Sequence, residues 1–143
     1  EVFSDDGLYK SGDVFRRDLA NGAYYFVGRI DDMFNCGGEN IYPAEIESML
    51  LAHPNIEMVC VVPVPDEIKG MKPIAFVVLV SGAQLNEEQV KNFALEQAPA
   101  YQHPRMVIFL DELPLAGPGK IDRNSLTKSA IEIWNSPSSA TSA

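Results

Sequence analysis

The sequence is poor in the residue types that bind nucleic acid, build disulfide frameworks or cross a bilayer. It has 11 Lys and Arg against 20 Asp and Glu, and a net charge of −9 argues against general binding to phosphate backbones. Two cysteines, Cys36 and Cys60, are too few for a disulfide framework or a zinc site, and we assign no metal-binding residue. The longest apolar runs, such as residues 74–80, are far shorter than the roughly 20 residues that span a bilayer. These absences favour a soluble protein of a reducing, cytoplasmic compartment.

The composition is that of a globular protein. Apolar residues make up 46% of the 143 positions and charged residues 22%, which suits one domain with a real core. The chain opens Glu-Val-Phe-Ser-Asp-Asp and not with a methionine. We therefore interpret it as a segment of a longer protein.

The hydrophobic pattern alternates between strands and helices and predicts an α+β fold. Asn21-Gly22 predicts a tight turn within paired strands over 7–30, which are too small to be stable alone. The remaining predicted elements are a loop with brief strand character over 28–40, strands over 58–64, 73–80 and 106–110, and helices that start near 43, 87 and 124. The prediction is a small lobe, a three-stranded sheet flanked by helices, preceded by a β-hairpin.

Three segments carry chemically capable residues, and each also has an ordinary structural explanation. Lys120, in the predicted irregular loop 114–120, is either a solvated loop residue or an ammonium group that a mobile loop delivers to an anion. Arg29 and the glycines of 28–40 form either a turn with surface ion pairs or a polar hinge. Asp13 is either a turn residue with an Asx-type hydrogen bond or a carboxylate that holds two vicinal hydroxyls.

The order and spacing of these segments resemble the adenylate-forming superfamily, which contains acyl-CoA synthetases, adenylation domains of peptide synthetases and firefly luciferase. The matching motifs are Tyr9-Lys10-Ser11-Gly12-Asp13, Gly28-Arg29-Ile30-Asp31-Asp32, Gly37-Gly38-Glu39-Asn40-Ile41-Tyr42-Pro43-Ala44-Glu45-Ile46-Glu47, and Leu113-Pro114 followed by Gly119-Lys120-Ile121-Asp122-Arg123. The resemblance covers about residues 7–128 and implies the last part of a family member. The large N-terminal domain, with its phosphate-binding loop and acid pocket, is not in this sequence, so the acid cannot be identified.

The resemblance implies roles for four residues around the nucleotide. Asp13 and Arg29 would bind the ribose hydroxyls of ATP, and Asp31 would be the hinge about which the small domain rotates. Lys120 would be the catalytic lysine that approaches the carboxylate and the α-phosphate during adenylation. The implied domains are the end of the large AMP-binding domain over 1–30, a mobile C-terminal domain over 31–130 and a tail over 131–143.

The same resemblance implies a thiol channel and a set of ligands. Gly37, Gly38 and Glu39 would line the CoA channel, with His103 and Arg105 placed near it. The full-length enzyme would use ATP, Mg²⁺ and CoA together with its own N-terminal domain, and the fragment alone would bind none of them. The implied function is an AMP-forming carboxylic acid:CoA ligase. Two alternatives stay open: an adenylation domain of a peptide synthetase that loads a carrier protein, and a non-catalytic isolated fragment.

Overall fold

An antiparallel sheet of three strands begins the fold. The computed structural model describes residues 7–10, 13–17, 20–66 and 70–135. Strands β1 (Gly7–Lys10), β2 (Asp13–Arg17) and β3 (Tyr24–Arg29) pair in chain order. The predicted pairing within 7–30 is confirmed, with three strands where a hairpin was predicted. Ser11, Gly12, Asp18 and Leu19 lie outside the described residues.

A second sheet forms the centre of the following lobe. Its strands are β4 (Phe34–Cys36), β5 (Glu39–Ile41), β6 (Ile56–Asp66), β7 (Gly70–Leu79) and β8 (Met106–Phe109). The order is β5-β4-β7-β6, and β8 pairs with β7 in parallel. The predicted three strands are present. The sheet has five because the short β4–β5 hairpin joins β7 where Cys36 pairs with Gly70.

Three helices cover this sheet, and local sequence features set their starts. Helix α1 (Pro43–Leu51) has proline at its first position, where the missing N–H costs no hydrogen bond. Asn86 and Gln89 form the predicted capping box of α2 (Glu87–Gln97), with hydrogen bonds of 2.7 and 2.9 Å. None of the helices in the described ranges is both long and apolar enough to cross a membrane.

The third helix begins earlier than the sequence predicted. Helix α3 (Arg123–Asn135) is capped by Asp122, whose carboxylate accepts a hydrogen bond from the Ser125 N–H at 3.1 Å, and not by Asn124. Leu126 and Ala130, one turn apart, lie on its buried face. Residues 131–135 of the predicted tail are therefore helical, and residues 136–143 lie outside the described part of the chain.

Each face of the second sheet has its own hydrophobic core. One core contains Ile46 and Leu50 of α1 with Val90 and Ala94 of α2. The other holds Leu126 and Ala130 of α3 against the opposite face. Strand β7 supplies residues to both cores, and its residues 74–78 are all buried, as its continuous apolar pattern predicted. The sheet therefore lies between α1 and α2 on one side and α3 on the other.

Candidate functional site

Lys120 lies on a two-stranded hairpin and not in the irregular loop that the sequence predicted. The hairpin consists of β9 (Leu115–Gly117) and β10 (Lys120–Ile121), and Lys120 pairs with Gly117. Pro118 and Gly119 make the turn, and Gly119 has a φ of 72°, the positive value that this position of a type II turn requires. The Lys120 side chain is exposed. Its ammonium group is therefore presented to solvent by a defined piece of backbone.

The base of this lysine hairpin, defined as residues 115–121, is fixed to the lobe. The Asp122 N–H donates to the Pro114 carbonyl oxygen at 2.8 Å and so joins the two ends of the hairpin. Leu113, just before it, is buried in the core beneath α3. Because Asp122 also caps α3, the hairpin continues directly into an anchored helix. Residues 115, 116 and 118–120 of the hairpin are exposed.

Arg123, three residues beyond Lys120, forms an ion pair with Glu47 of α1. Its Nη2 lies 2.9 and 3.1 Å from the two Glu47 carboxylate oxygens, and its Nη1 donates to the Val61 carbonyl oxygen at 3.1 Å. Glu47 in turn accepts the Val61 N–H at 2.9 Å. Among the described strands, β6 has a neighbour only on its β7 side, so Val61 faces an open sheet edge. The ion pair satisfies both backbone groups of Val61 there.

Burial acts in different ways on the two partners of this pair. Burial raises the pKa of the Glu47 carboxyl above its usual value, against the lowering effects of the Val61 N–H and Arg123. Burial, the largest single effect, would lower the pKa of the Arg123 guanidinium. The charge and hydrogen bond of Glu47 and the charges of Cys60 and Asp32 together outweigh it, and the pKa is raised. The Glu47 side chain is 13% exposed and that of Arg123 41%, so desolvation weighs more on Glu47. Acid therefore breaks the pair by protonating Glu47.

The Cys60 thiol, next to Val61, has a strongly perturbed pKa. Cys60 is completely buried, and burial raises its pKa to about 11, against the lowering effect of Arg123. A folded pKa above the unfolded one means that the folded state holds the proton more tightly. The resulting stability is complete below about pH 9 and is lost as pH rises through about 11. We expect the free energy of unfolding to fall by about 2–3 kcal/mol over this window.

Urea unfolding of the chain at pH 8, 9, 10 and 11 measures this fall. Because other groups also titrate in alkali, Cys60→Ala is the reference. The expected result is that the free energy of unfolding falls by about 2–3 kcal/mol more in the wild type than in Cys60→Ala. Cys36→Ala is the matched control. Cys36 is also buried and outside any disulfide, and its removal leaves Cys60 in place. Equal pH profiles for the wild type and Cys60→Ala would contradict the assignment.

The predicted hinge lies between the two sheets. Ile30–Asp32 is a short 3₁₀ turn that joins β3 to β4, and Asp31 is exposed. Just before it, Gly28 adopts a φ of 154°, and a Cβ there would stand 3.3 Å from the Tyr42 Cβ. Tyr42 is buried with Val14 and Val27, so the first sheet packs on the start of α1. The predicted hinge is thus a short turn with exposed Asp31, and the backbone just before it, at Gly28, packs closely against Tyr42.

The two residues predicted to bind ribose come together at the end of the first sheet. Asp13 of β2 and Arg29 of β3 are register partners in the antiparallel ladder. The structure describes the backbone of Asp13 but not its side chain, whereas Arg29 is exposed. Arg29 directly precedes the 3₁₀ turn that contains Asp31, and the pairing places the backbone of Asp13 beside Arg29.

The predicted thiol-channel residues form the tight turn between β4 and β5. Gly37 and Gly38 have φ values of 59° and 92°, the two positive values that a type I′ turn requires. The Gly38 N–H donates to the Asn35 side chain at 3.0 Å, and a Cβ on Gly38 would meet no atom within 4 Å. Glu39 follows and is exposed. The backbone here is open to the close approach of a ligand.

Arg105 contacts the strand that leads into this turn and also bonds His103. Arg105 donates to the Cys36 sulfur at 3.7 Å, and its other terminal nitrogen bonds the backbone oxygen and ring of His103. Burial lowers the pKa of His103, and the charges of Arg105 and Lys91 lower it further, against the raising effect of the Ala100 carbonyl. The Arg105 guanidinium is therefore engaged within the lobe.

A groove of about 470 Å³ lies at the opposite end of β7 from the glycine turn. Its lining includes Val80, Gly82, Phe109 and Asp111. No residue singled out from the sequence lines it. Within the described residues, no three His, Cys, Asp or Glu side chains converge as metal ligands. We assign no Mg²⁺ ligand among the described residues.

The sequence analysis missed the Glu47–Arg123 pair. Both residues stood in the matching motifs, but 76 positions separate them and no local pattern pairs them. One indication was available. Glu47 flanks the buried stripe of Pro43, Ile46 and Leu50, where a carboxylate needs a partner.

The chain matches a family and resembles known proteins across most of its length. Residues 45–120 match the family described as the AMP-binding enzyme C-terminal domain. The chain is 37% identical over 127 residues, 89% of its length, to 4-coumarate--CoA ligase-like 2 of Arabidopsis thaliana, and 40% identical over 127 residues, 87% of its length, to acetyl-coenzyme A synthetase of Aeromonas salmonicida. Apo MatB from Rhodopseudomonas palustris superposes with a TM-score of 0.80 at 35% identity over 94% of the chain.

The matched region and the similar proteins differ greatly in length. The chain spans 22% and 19% of the two relatives and 26% of the MatB chain. MatB also has a structure with ATP bound, which this chain matches with a TM-score of 0.74. The family match covers more than half of the 143 residues and includes most of α1, strands β6, β7 and β8, helix α2 and Lys120. The chain belongs to the family of AMP-binding enzyme C-terminal domains, within the adenylate-forming superfamily.

Proposed function

We propose that this chain is the C-terminal part of an AMP-forming carboxylic acid:CoA ligase. The observation that carries the proposal is the lysine hairpin, which presents exposed Lys120 on backbone anchored to the lobe. A lysine held this way can enter a nucleotide site from outside without losing its position within its own domain. The similarity to CoA ligases and to an ATP-bound neighbour supports the same function.

In this proposal the chain contains two functional parts joined at Asp31. Residues 1–30 end the large AMP-binding domain, where Asp13 and Arg29 bind the ribose. Residues 31–130 form the mobile domain, which carries Lys120 on its hairpin and Gly37, Gly38 and Glu39 on the β4–β5 turn. The change from one sheet to the next at the 3₁₀ turn supports this division.

The chemistry consists of two transfers. A carboxylate oxygen of the acid attacks the α-phosphorus of ATP, the bond to pyrophosphate breaks, and an acyl-adenylate forms. The Lys120 ammonium stabilises the negative charge that gathers between the carboxylate and the phosphate. The CoA thiol then loses its proton and attacks the acyl carbon, and AMP leaves. Because one site serves both steps, the mobile domain turns about Asp31 to withdraw Lys120 and bring the glycine turn to the thiol.

Assays of the complete enzyme that contains this segment test the proposal. We expect acid-dependent release of AMP and pyrophosphate from ATP with acetate, octanoate or 4-coumarate, and a CoA thioester by mass spectrometry. The 143-residue chain alone should give no turnover, because in this proposal the large N-terminal domain binds the nucleotide phosphates and the acid. Release of ADP and phosphate, or turnover by the chain alone, would contradict the proposal. Transfer to a carrier-protein thiol but not to CoA would identify a peptide-synthetase domain.

A further inference from the structure

The Glu47–Arg123 pair joins three parts of the lobe that no other described ion pair connects. Glu47 belongs to α1, which covers one face of the second sheet, and Arg123 opens α3, which covers the other face. They meet around the open edge of β6 and enclose the Val61 peptide groups. The other described ion pairs, Lys72–Asp66 and Lys91–Glu87, link residues on the same or adjacent elements.

Arg123 also lies immediately after Asp122, the residue that closes the base of the lysine hairpin. Only Ile121 and Asp122 separate it from Lys120, and Asp122 is already bonded to Pro114. A shift of Arg123 along β6 would therefore move the base of the hairpin. Such a shift would reach Lys120, because Lys120 and Ile121 are paired with Gly117 and Leu115 and connect directly to this base.

The pair also lies near the predicted hinge. Ile30 of the hinge turn packs against the buried cluster that contains Tyr42, the residue directly before α1. The charge of Asp32 also acts on the pKa of both partners, after the larger effect of burial. Asp32 belongs to the same 3₁₀ turn as Asp31. One ion pair thus stands between the turn about which the lobe would rotate and the hairpin that carries Lys120.

We propose that the Glu47–Arg123 pair is a positioning device that fixes the base of the lysine hairpin relative to the hinge and so sets where Lys120 stands during adenylation. The inference rests on the proposed function. Neither residue touches substrate in this account; both act through Lys120. A displacement of about 1 Å at a reacting group can cost roughly a hundredfold in rate. The pair thus contributes to the rate of one half-reaction beyond its contribution to folding.

Two conservative variants weaken the pair in different ways. Arg123→Lys keeps the positive charge but replaces two donor nitrogens with one, so the Glu47 carboxylate and the Val61 carbonyl cannot both be held as they are. Glu47→Gln keeps the shape and removes the charge. Glu45→Gln is the matched control, because Glu45 lies on the same helix and bonds Gln102 and not Arg123.

Hydrogen exchange on the 143-residue chain gives the first readout. In both pair variants we expect the Asp122 amide, which bonds Pro114, to exchange at least about tenfold faster. The amide of Val77 in the buried β7 strand should keep its wild-type rate, which shows that the fold is intact. Glu45→Gln should behave as the wild type at the hairpin. Unchanged exchange of Asp122 in both pair variants would overturn the inference.

The complete enzyme gives the second readout. We expect Arg123→Lys and Glu47→Gln to lower kcat of adenylation by about 10- to 100-fold with KM for ATP within about twofold. Thioester formation from preformed acyl-adenylate should change by less than about threefold. Equal losses in the two half-reactions would mean a purely structural role and would overturn the inference.

Lys120→Ala in the same assays separates this inference from the proposed function. If Lys120→Ala leaves adenylation unchanged, the proposed function fails, whereas faster exchange of Asp122 in the pair variants would still show the anchoring. If Lys120→Ala abolishes adenylation and neither pair variant slows it, the proposed function stands and the positioning role is wrong. If Arg123→Lys does not fold, the results for Glu47→Gln alone decide whether the pair has the positioning role.

Discussion

Replacing Lys120 with alanine is expected to slow acyl adenylation by about 10²- to 10³-fold, the cost of removing one preorganised group that stabilises transition-state charge. The charge that Lys120 opposes exists only while the carboxylate attacks the α-phosphate. Formation of the thioester from preformed acyl-adenylate should therefore change by less than about threefold. Pyrophosphate release and thioester formation, measured separately in the complete enzyme, give the two rates.

The Lys120→Ala variant should fold normally, which makes its activity interpretable. Lys120 is exposed, and the hairpin is held by its backbone and by Asp122. Its free energy of unfolding should therefore stay within about 0.5 kcal/mol of the wild type. Lys128→Ala is the control, because Lys128 is an exposed lysine on the neighbouring helix α3. A comparable loss in both half-reactions, or in Lys128→Ala, would contradict the role given to Lys120.

Local patterns predicted most of the fold, because the residues that determine each of these elements lie within it or directly beside it. The Asn86 capping box and Pro43 at the start of α1 are contacts within one turn of chain. The continuous apolar run of β7 reflects burial on both faces, which any fold that contains this strand must provide. Such features need no knowledge of distant residues.

Other features could not be predicted because their causes are not local. The lysine hairpin has strands of three and two residues, too short for alternation to show. Asp122, and not Asn124, caps α3, and Asp122 is held by its hydrogen bond to the Pro114 carbonyl across the hairpin, which no pattern within the helix shows. The candidate site residues were identified by motif, whereas the ion pair behind them depends on how α1 and α3 meet around β6.

Replacing Asp31 with proline is expected to separate the two half-reactions. Ile30 belongs to the 3₁₀ turn and so has helical backbone angles, which a following proline disfavours in favour of extended ones. Proline at position 31 therefore destabilises the arrangement seen here, by about 1–3 kcal/mol if the strain resembles that of other unfavourable backbone conformations. That corresponds to roughly a 5- to 150-fold shift between orientations of the lobe.

One half-reaction should then fall by about tenfold or more while the other keeps most of its rate, because each step needs its own orientation. Asp31→Ala is the matched control. It removes the same carboxylate but leaves the backbone free to adopt both orientations, so both of its rates should stay within about threefold of the wild type. The measurement is again pyrophosphate release against thioester formation from preformed acyl-adenylate in the complete enzyme. If Asp31→Pro changes neither rate, or Asp31→Ala reproduces its pattern, rotation about this turn does not control the reaction. If only Asp31→Pro splits the two rates, the step that it loses is the one that requires the orientation described here.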